Sequence, residues 1–394
     1  MAYPKLSLLA GQDRRLRSGH PWIYSNELKM DEAAKALEPG MPVRVTDVAG
    51  KAMAVAQFNP HSLIAARVLS RNQHATIDAD FLERRLRRAL VLRERLYDQP
   101  YYRLVHAEAD GFPGLVIDRF GKALVIQVNS AGMDRLTSPL LEAIDRVFET
   151  DLIIFKNDSL AREREGLALG VDVVRGEAKG MIELQENGLT FFADPIEGQK
   201  TGWYFDQRDN RAFAARFARD ERVLDLFSYG GGFAVTALKA GAKEALAVDR
   251  SEGALELAKM AAARNGVETG FSTAREESFV ALDRLAGEKQ RFGLVVADPP
   301  SFVKSKRELK TGLKGYRRLT RAAAKLVREE GCLVIASCSH NVPVDQFRDE
   351  VRKGLSDAGR GGRLLCQSGA SADHPSHLML AESAYLKSLV YMLD

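Results

Sequence analysis

The sequence predicts an α/β chain that ends in an open parallel sheet with helices on both faces. Three observations carry this. From residue 188 onward, the short apolar runs RVLDLF, EALAVD, FGLVVAD and CLVIASC alternate with the helix-forming segments FAVTALKAG and ALELAKMAAARNG, the pattern of strands covered on both sides. Before residue 72 the runs are β-rich and punctuated by turns, with no long helical period between them. Residues 73–187 mix the two patterns, which makes three regions: 1–72, 73–187 and 188–394.

In the first region, VRVTDV, KAMAVAQF and LIAARVLS are the strands of a small all-β module, separated by PG, AG and NP. The second opens with DFLERRLRRALVLRERLY (80–97), where Leu82, Leu86, Leu90 and Leu96 fall at near-helical spacing and arginines take the other face. Strand-like YRLVHAEA, a turn at DGFPG (110–114), LVIDRF and KALVIQV follow. A helix near 133–148 and a strand at DLIIFK (151–156) complete this mixed α/β region. In the third, a basic helix is expected around 315–330.

Composition narrows the class. The chain has 394 residues, 45% hydrophobic and 28% charged, with a mean hydropathy of -0.21, which is ordinary globular material. No apolar run approaches the ~20 residues a membrane span needs. The start, MAYPKLSLLAGQDRR, lacks a charged-then-apolar leader layout, so a cytoplasmic protein without a membrane partner is expected. Cys332, Cys338 and Cys366 cannot form a disulfide framework, and no Cys/His spacing suggests a metal.

Net charge is only +4, yet the basic residues cluster: Arg14, Arg15 and Arg17; Arg84, Arg85, Arg87, Arg88, Arg93 and Arg95; then Lys304, Lys306, Arg307, Lys310, Lys314, Arg317, Arg318 and Arg321. Any one cluster fits a solvated helix face. Three of them on a nearly neutral chain fit a polyanion better, because phosphate neutralisation draws on local charge.

Ligands of open α/β sheets bind at the carboxyl ends of the strands, and chemistry-bearing residues stand there. After the first strand comes DLFSYGGGF (225–233), a glycine turn that leads into a helix. GxGxxG is absent; Phe227 and Tyr229 occupy the first two glycine places of a D-x-G-x-G-x-G pattern. Asp249 ends the second strand, where a carboxylate accepts from ribose hydroxyls. DPPSF (298–302) follows the fourth, and its two prolines stiffen the loop that holds Asp298. A solvated strand terminator is the plain alternative. Cys338 reaches the same rim one strand on, either as a nucleophile or as a small space-filling residue; neighbouring strands lie ~4.8 Å apart, so thiol and carboxylate can face one base.

In that order, DLFSYGGGF, AVDRS, DPPSF and ASCSH resemble a class I S-adenosylmethionine-dependent methyltransferase. KTGWYFDQRDNR (200–211) narrows the resemblance to the bacterial large-subunit ribosomal RNA methyltransferase I family, which makes 5-methylcytosine. HPWIYSNEL resembles that family's N-terminal PUA module, EADGFPGLVIDRFG its central domain, and ADHP and YLK its C-terminal end.

The resemblance implies a PUA-like RNA-binding domain at 1–72, a central α/β domain, and a Rossmann-like domain at 188–394 with a mostly parallel seven-stranded sheet. It further implies that Asp225, Phe227, Tyr229, Gly231 and Gly232 surround the methionine part of S-adenosylmethionine. Asp249 would hold the ribose and Glu277, in REESF, the adenine amino group, where the family often has Asp. Gln207 and Arg208 would lie near cofactor or substrate. Asp298 would contact the base beside the cofactor, and Cys338 would be the nucleophile. Gly230 departs from an expected Thr. Ser301 stands where many RNA cytosine methyltransferases carry a second cysteine.

The covalent assignment also follows from chemistry, because cytosine C5 is too weak a nucleophile until a thiolate adds at C6. Lys304, Lys306 and Arg307, directly after the acid-proline loop, are expected to hold RNA phosphates. The competing readings are a guanine N7 or N2 ribosomal RNA methyltransferase, whose SNN-like residues contrast with SCS here, and a non-catalytic RNA-binding or ribosome-assembly module. Whether the chain forms a homodimer stays open, as does a part for His340.

Overall fold

The computed structural model describes residues 3–394. Its contacts divide the chain into two compact units: 3–180 with 195–202 and 373–383, and 181–194 with 203–372 and 384–394.

The first unit contains two five-stranded sheets. One is built in spatial order from Lys5–Ser7, Met41–Thr46, Ala52–Phe58, Ala66–Ser70 and Trp22–Ile23. Only the first pair is parallel. Short helices at Arg14–Ser18 and Glu32–Lys35 qualify the all-β expectation. The other sheet runs Gly170–Arg175, Leu152–Asn157, Ala123–Val128, Leu115–Phe120 and Tyr101–His106.

Against this second sheet the helix Ala79–Leu96 buries Leu82 and Leu86, in one core with Ile117, Ile126, Leu140 and Ile144. Leu90, partly buried, packs against the same core. Leu96 is exposed, whereas Arg93, expected on the solvated face, is fully buried. Asp110 reverses that expectation, since both its oxygens receive the Arg93 guanidinium at 2.7 Å and Arg93 Nε donates to the Arg103 carbonyl at 2.8 Å. A bidentate pair compensates the desolvation of a planar cation. The helix expected near 133–148 is two helices, Ala131–Arg135 and Thr137–Val147, joined at Leu136.

The second unit holds the expected seven-stranded sheet. Its strands are β1 (Arg222–Leu226), β2 (Glu244–Asp249), β3 (Phe271–Arg275), β4 (Phe292–Ala297), β5 (Val327–Ser337), β6 (Gly362–Ser368) and β7 (Lys387–Leu393). Their spatial order is β3-β2-β1-β4-β5-β7-β6. All pairs are parallel except the two made by β7. Helices α1 (Arg208–Ala214), α2 (Gly232–Lys239), α3 (Glu252–Arg264), α4 (Ser278–Gly287), α5 (Leu309–Leu326) and α6 (Val344–Asp357) connect and cover it.

Two apolar clusters lie in this unit, one around Leu224, Val295, Tyr316 and Phe347, the other around Val223, Ala234, Leu294 and Cys332. Opposite faces of β1 and β4 supply them, as the period of two requires. The basic helix ends at Leu326 rather than 330, because Val327 already pairs with Phe292. A hairpin of Ile182–Glu186 and Leu189–Ala193 also belongs to this unit.

Candidate active site

The carboxyl ends of β1, β2 and β3 carry the acids the sequence singles out. Asp225 is buried on β1, and its Oδ2 accepts from Ala234 N, in the first turn of α2, at 3.1 Å. Burial pushes this carboxyl up to about 7, because a desolvated carboxylate is disfavoured. Asp249 ends β2 and ties down the loop after β1: Oδ2 accepts from Tyr229 N at 3.0 Å and Oδ1 from Ser251 N at 2.9 Å. Glu277, two residues past β3, is exposed and caps α4 by accepting from Phe279 N and Val280 N.

The loop itself is curled by three left-handed residues, Phe227 (φ 60°), Tyr229 (φ 49°) and Gly231 (φ 72°). Such a conformation costs a non-glycine residue ~1–2 kcal/mol, so neighbouring packing must hold it. A Cβ on Gly231 would sit 2.7 Å from Ala258 Cβ, and one on Gly232 only 2.4 Å from Arg211 Nε. These two glycines therefore serve the chain's own close contacts. Arg211 is buried, donates to Glu186 at 2.7 Å, and stacks 4.5 Å over Trp203, whose Nε1 donates to the same carboxylate at 3.0 Å.

Asp298, half-buried, follows β4 directly. Gln207 Nε2 donates to its Oδ2 at 2.8 Å, while Gln207 Oε1 accepts from Asn210 Nδ2 at 2.6 Å. Asn210 Oδ1 in turn accepts from Ser368 Oγ at 2.6 Å. This relay fixes which end of the Gln207 amide meets Asp298. Arg208 Nε lies 3.7 Å from Glu186 Oε2.

Cys338, also half-buried, follows β5. In the parallel register Ala297 sits opposite Ile335, so acid and thiol leave adjoining strands on the same edge. Both act on the same two phenols. Tyr204 is pushed well above its ordinary range by burial and then by Tyr229, Asp206, Asp298 and Cys338. Tyr316, on α5, is pushed up to about 12 by burial, with Cys338 and Asp298 adding to it.

Three serines fasten this edge. Ser337 Oγ donates to Tyr316 Oη at 2.9 Å, and Ser339 Oγ and Ser301 Oγ donate to the Val303 carbonyl at 2.7 and 3.0 Å. His340 is exposed. Cys332 is buried and its thiol pushed up to about 11 by that burial, which makes it inert; Cys366 lies half-buried on β6.

Two family models match parts of the chain. Residues 6–71 match a family model described as a PUA-like domain, and residues 162–356 one described as an S-adenosylmethionine-dependent methyltransferase. The ribosomal RNA large subunit methyltransferase I of Erwinia tasmaniensis is 38% identical over 388 residues, which is 97% of this chain and 98% of that protein. The protein of the same name from Tolumonas auensis is 38% identical over 385 residues, 96% of each chain.

The chain belongs to the ribosomal RNA large subunit methyltransferase I family.

Both of these relatives are matched over nearly their full length. A Streptococcus mutans protein assigned as a SAM-dependent methyltransferase has the same fold, with a TM-score of 0.83 at 20% identity over 99% of this chain and 100% of that one. SMU.776, solved with SAH, has a TM-score of 0.84 at 19% identity over all of both chains. The family member described here is an S-adenosylmethionine-dependent methyltransferase, and its site fits that cofactor. Each Asp249 oxygen takes one backbone N–H and keeps a lone pair for a hydroxyl.

Sequence reasoning misses Tyr204, Asn210, Tyr316 and Lys387 at this edge. Two lie inside the run 200–211 and one in YLK, so the segments stand out but the roles of these residues do not. Among the basic residues, Arg15, Arg17, Arg87 and Arg317 are paired with Glu27, Asp13, Glu83 and Asp357. Lys304, Lys306 and Arg307 are exposed and have no ion-pair partner among the described residues.

Proposed function

We propose that this chain methylates C5 of a cytosine in large-subunit ribosomal RNA, with Cys338 as covalent nucleophile and Asp298 as the acid that engages the base. What carries the reading is the half-buried Cys338 thiol on the strand edge next to Asp298, with Tyr204 and Tyr316 under the influence of both. A space-filling cysteine would call for no such neighbourhood. The family's name supports ribosomal RNA as the substrate.

S-adenosylmethionine, when bound, supplies an electrophilic methyl group on its sulfonium sulfur. Asp225, Phe227, Tyr229, Gly231 and Gly232 would surround its methionine part, Asp249 its ribose, and Glu277 its adenine. Gln207 reaches this centre through Asp298. The Cys338 thiolate adds to C6 of the cytosine, and the C5–C6 double-bond electrons shift to make C5 an enamine carbon. Asp298 hydrogen-bonds N3 and the exocyclic amine as charge develops there. Transfer of the methyl group to C5 would break its bond to the sulfonium sulfur and leave a neutral thioether; passage of the C5 proton to water or a neighbouring base then restores the C5–C6 double bond and expels the thiolate from C6.

The PUA-like domain and the exposed Lys304, Lys306 and Arg307 would grip the RNA. The target base must leave its stack to reach a strand edge, which favours a single-stranded or loosely paired site. Cys338→Ala tests the reading: methylation of a ribosomal RNA substrate should vanish while calorimetric binding of S-adenosylmethionine persists. Near-normal turnover in that variant would move the activity to a guanine nitrogen.

A further inference from the structure

Lys387 is a buried lysine at the first residue of β7, directly opposite Ser337 at the end of β5. An ammonium removed from water normally pairs with a carboxylate. This one does not. Its Nζ donates to the Ser339 carbonyl and to the Tyr385 carbonyl, the latter at 2.9 Å, and no carboxylate lies within ion-pair distance of it among the described residues. Burial pushes its ammonium down to about 8, and Cys338 is the one ionisable group that works against that push.

Such interactions are reciprocal. If the thiolate favours the ammonium, the ammonium favours the thiolate by the same free energy.

We propose that Lys387 is a positioning residue for Cys338: its ammonium stabilises the thiolate and pins the Ser339 carbonyl, and so holds the 337–340 turn with sulfur at the strand edge. The proposal rests on the covalent reading of Cys338 and deepens it. Of the other ionisable groups around this turn, His340 is exposed to water rather than buried with the thiol. Asp298 after β4 is a like charge for a thiolate, burial keeps Tyr204 and Tyr316 on α5 as neutral phenols, and Tyr385 before β7 donates its hydroxyl to Asp206. A free cysteine is only a few per cent thiolate at pH 7, and Lys387 places a buried positive charge beside this one. The covalent mechanism requires the thiolate.

The test follows alkylation of Cys338 by iodoacetamide against pH, read at that residue by peptide mass mapping in the full chain. In Lys387→Met the rate at pH 7 should fall about tenfold, with the whole profile moved to higher pH. Lys387→Arg, which keeps the charge, should hold the wild-type profile. Superimposable profiles for wild type and Lys387→Met, with circular dichroism and S-adenosylmethionine binding unchanged, would overturn the proposal. Should Lys387→Met fail to fold, the wild-type profile decides alone, since a midpoint at or above that of a free cysteine, ~8.5, would also overturn it. Alkylation does not depend on turnover. A Cys338→Ala variant that still methylates would therefore sink the covalent reading while leaving the Lys387 effect on the thiol measurable.

Discussion

Ser339 Oγ donates to the Val303 carbonyl at 2.7 Å, and this bond joins the turn that carries Cys338 to the loop that carries Asp298. Ser301 Oγ reaches the same carbonyl from within its own loop, at 3.0 Å. Neither serine needs to touch a substrate. The two bonds share an acceptor, but only the one from Ser339 crosses between the ends of β5 and β4.

That difference gives a paired prediction. Ser339→Ala should cost about 1 kcal/mol of stability, the net worth of one hydrogen bond whose acceptor keeps another donor. It should lower methyl transfer about tenfold or more, because an edge that wanders by an ångström loses its reacting geometry. Ser301→Ala should cost similar stability and markedly less turnover. Equal losses of turnover in the two variants, measured beside their denaturant midpoints, would show that the crossing bond has no special part.

Asp225 makes stability depend on pH with a defined sign. Its carboxyl is held at about 7 in the folded chain against an ordinary 3.8, so the folded state prefers the protonated form. The contribution is fully present below the ordinary value and is lost as pH rises toward 7. Relative to Asp225→Asn, which cannot titrate, the wild-type chain should lose about 2–3 kcal/mol of unfolding free energy between pH 5 and 7, then level off. Denaturant titrations at pH 5, 6, 7 and 8 check this; a difference constant across the series would refute it. An ammonium bound beside Asp225 would stabilise its carboxylate, so cofactor binding near pH 6.5 should release a proton, detectable by calorimetry in buffers of different ionisation enthalpy.

What the sequence discloses follows a physical rule. β1, β2, β4 and the second half of β5 are short apolar runs because both faces are covered, and Asp225, Asp249, Asp298 and Cys338 stand out because they lie at or just past the ends of those runs. The start of β5 is hidden. VREEG at 327–331 carries three charged residues and reads as the tail of the basic helix, yet Val327 already pairs with Phe292 and the ladder resumes at Cys332 after an irregularity. Arg93 misleads for another reason: only the folded chain brings Asp110 to it. Tyr316 and Lys387 reach the Cys338 edge from α5 and β7, and no local pattern announces a partner so distant in the chain.

The glycine turn yields a prediction with an internal control. Gly231→Ala combines a left-handed φ of 72° with a Cβ 2.7 Å from Ala258 Cβ, and neither atom sits on a flexible chain end. It should destabilise by about 2 kcal/mol or more and weaken S-adenosylmethionine binding with it. Gly253→Ala, on α3 with no atom nearer than Ser251 Oγ at 4.0 Å, should instead stabilise by about 0.5–1 kcal/mol. Thermal midpoints for both variants test the pair, and a harmless Gly231→Ala would mean the loop is not held as described.

The last prediction concerns the segment between the Asp298 loop and α5. Lys304, Lys306 and Arg307 are exposed, and Glu308 is engaged by accepting from Lys304 N at 2.9 Å. Arg317 and Arg318, further along, are occupied: Asp357 holds the first at 2.6 and 2.7 Å, and the second stacks 4.1 Å over Phe279. Lys304, Lys306 and Arg307 are thus exposed charge directly after the Asp298 loop, and Lys310, Lys314 and Arg321 extend it onto α5. Reversing Lys304, Lys306 and Arg307 to Glu should weaken RNA binding uniformly across sequences. It should also flatten the dependence of log affinity on log salt by about 0.7 for each single-strand phosphate no longer neutralised, roughly 2 in total. Filter binding between 50 and 300 mM salt reads that slope, and an unchanged affinity at the low end would show that the phosphates are gripped elsewhere.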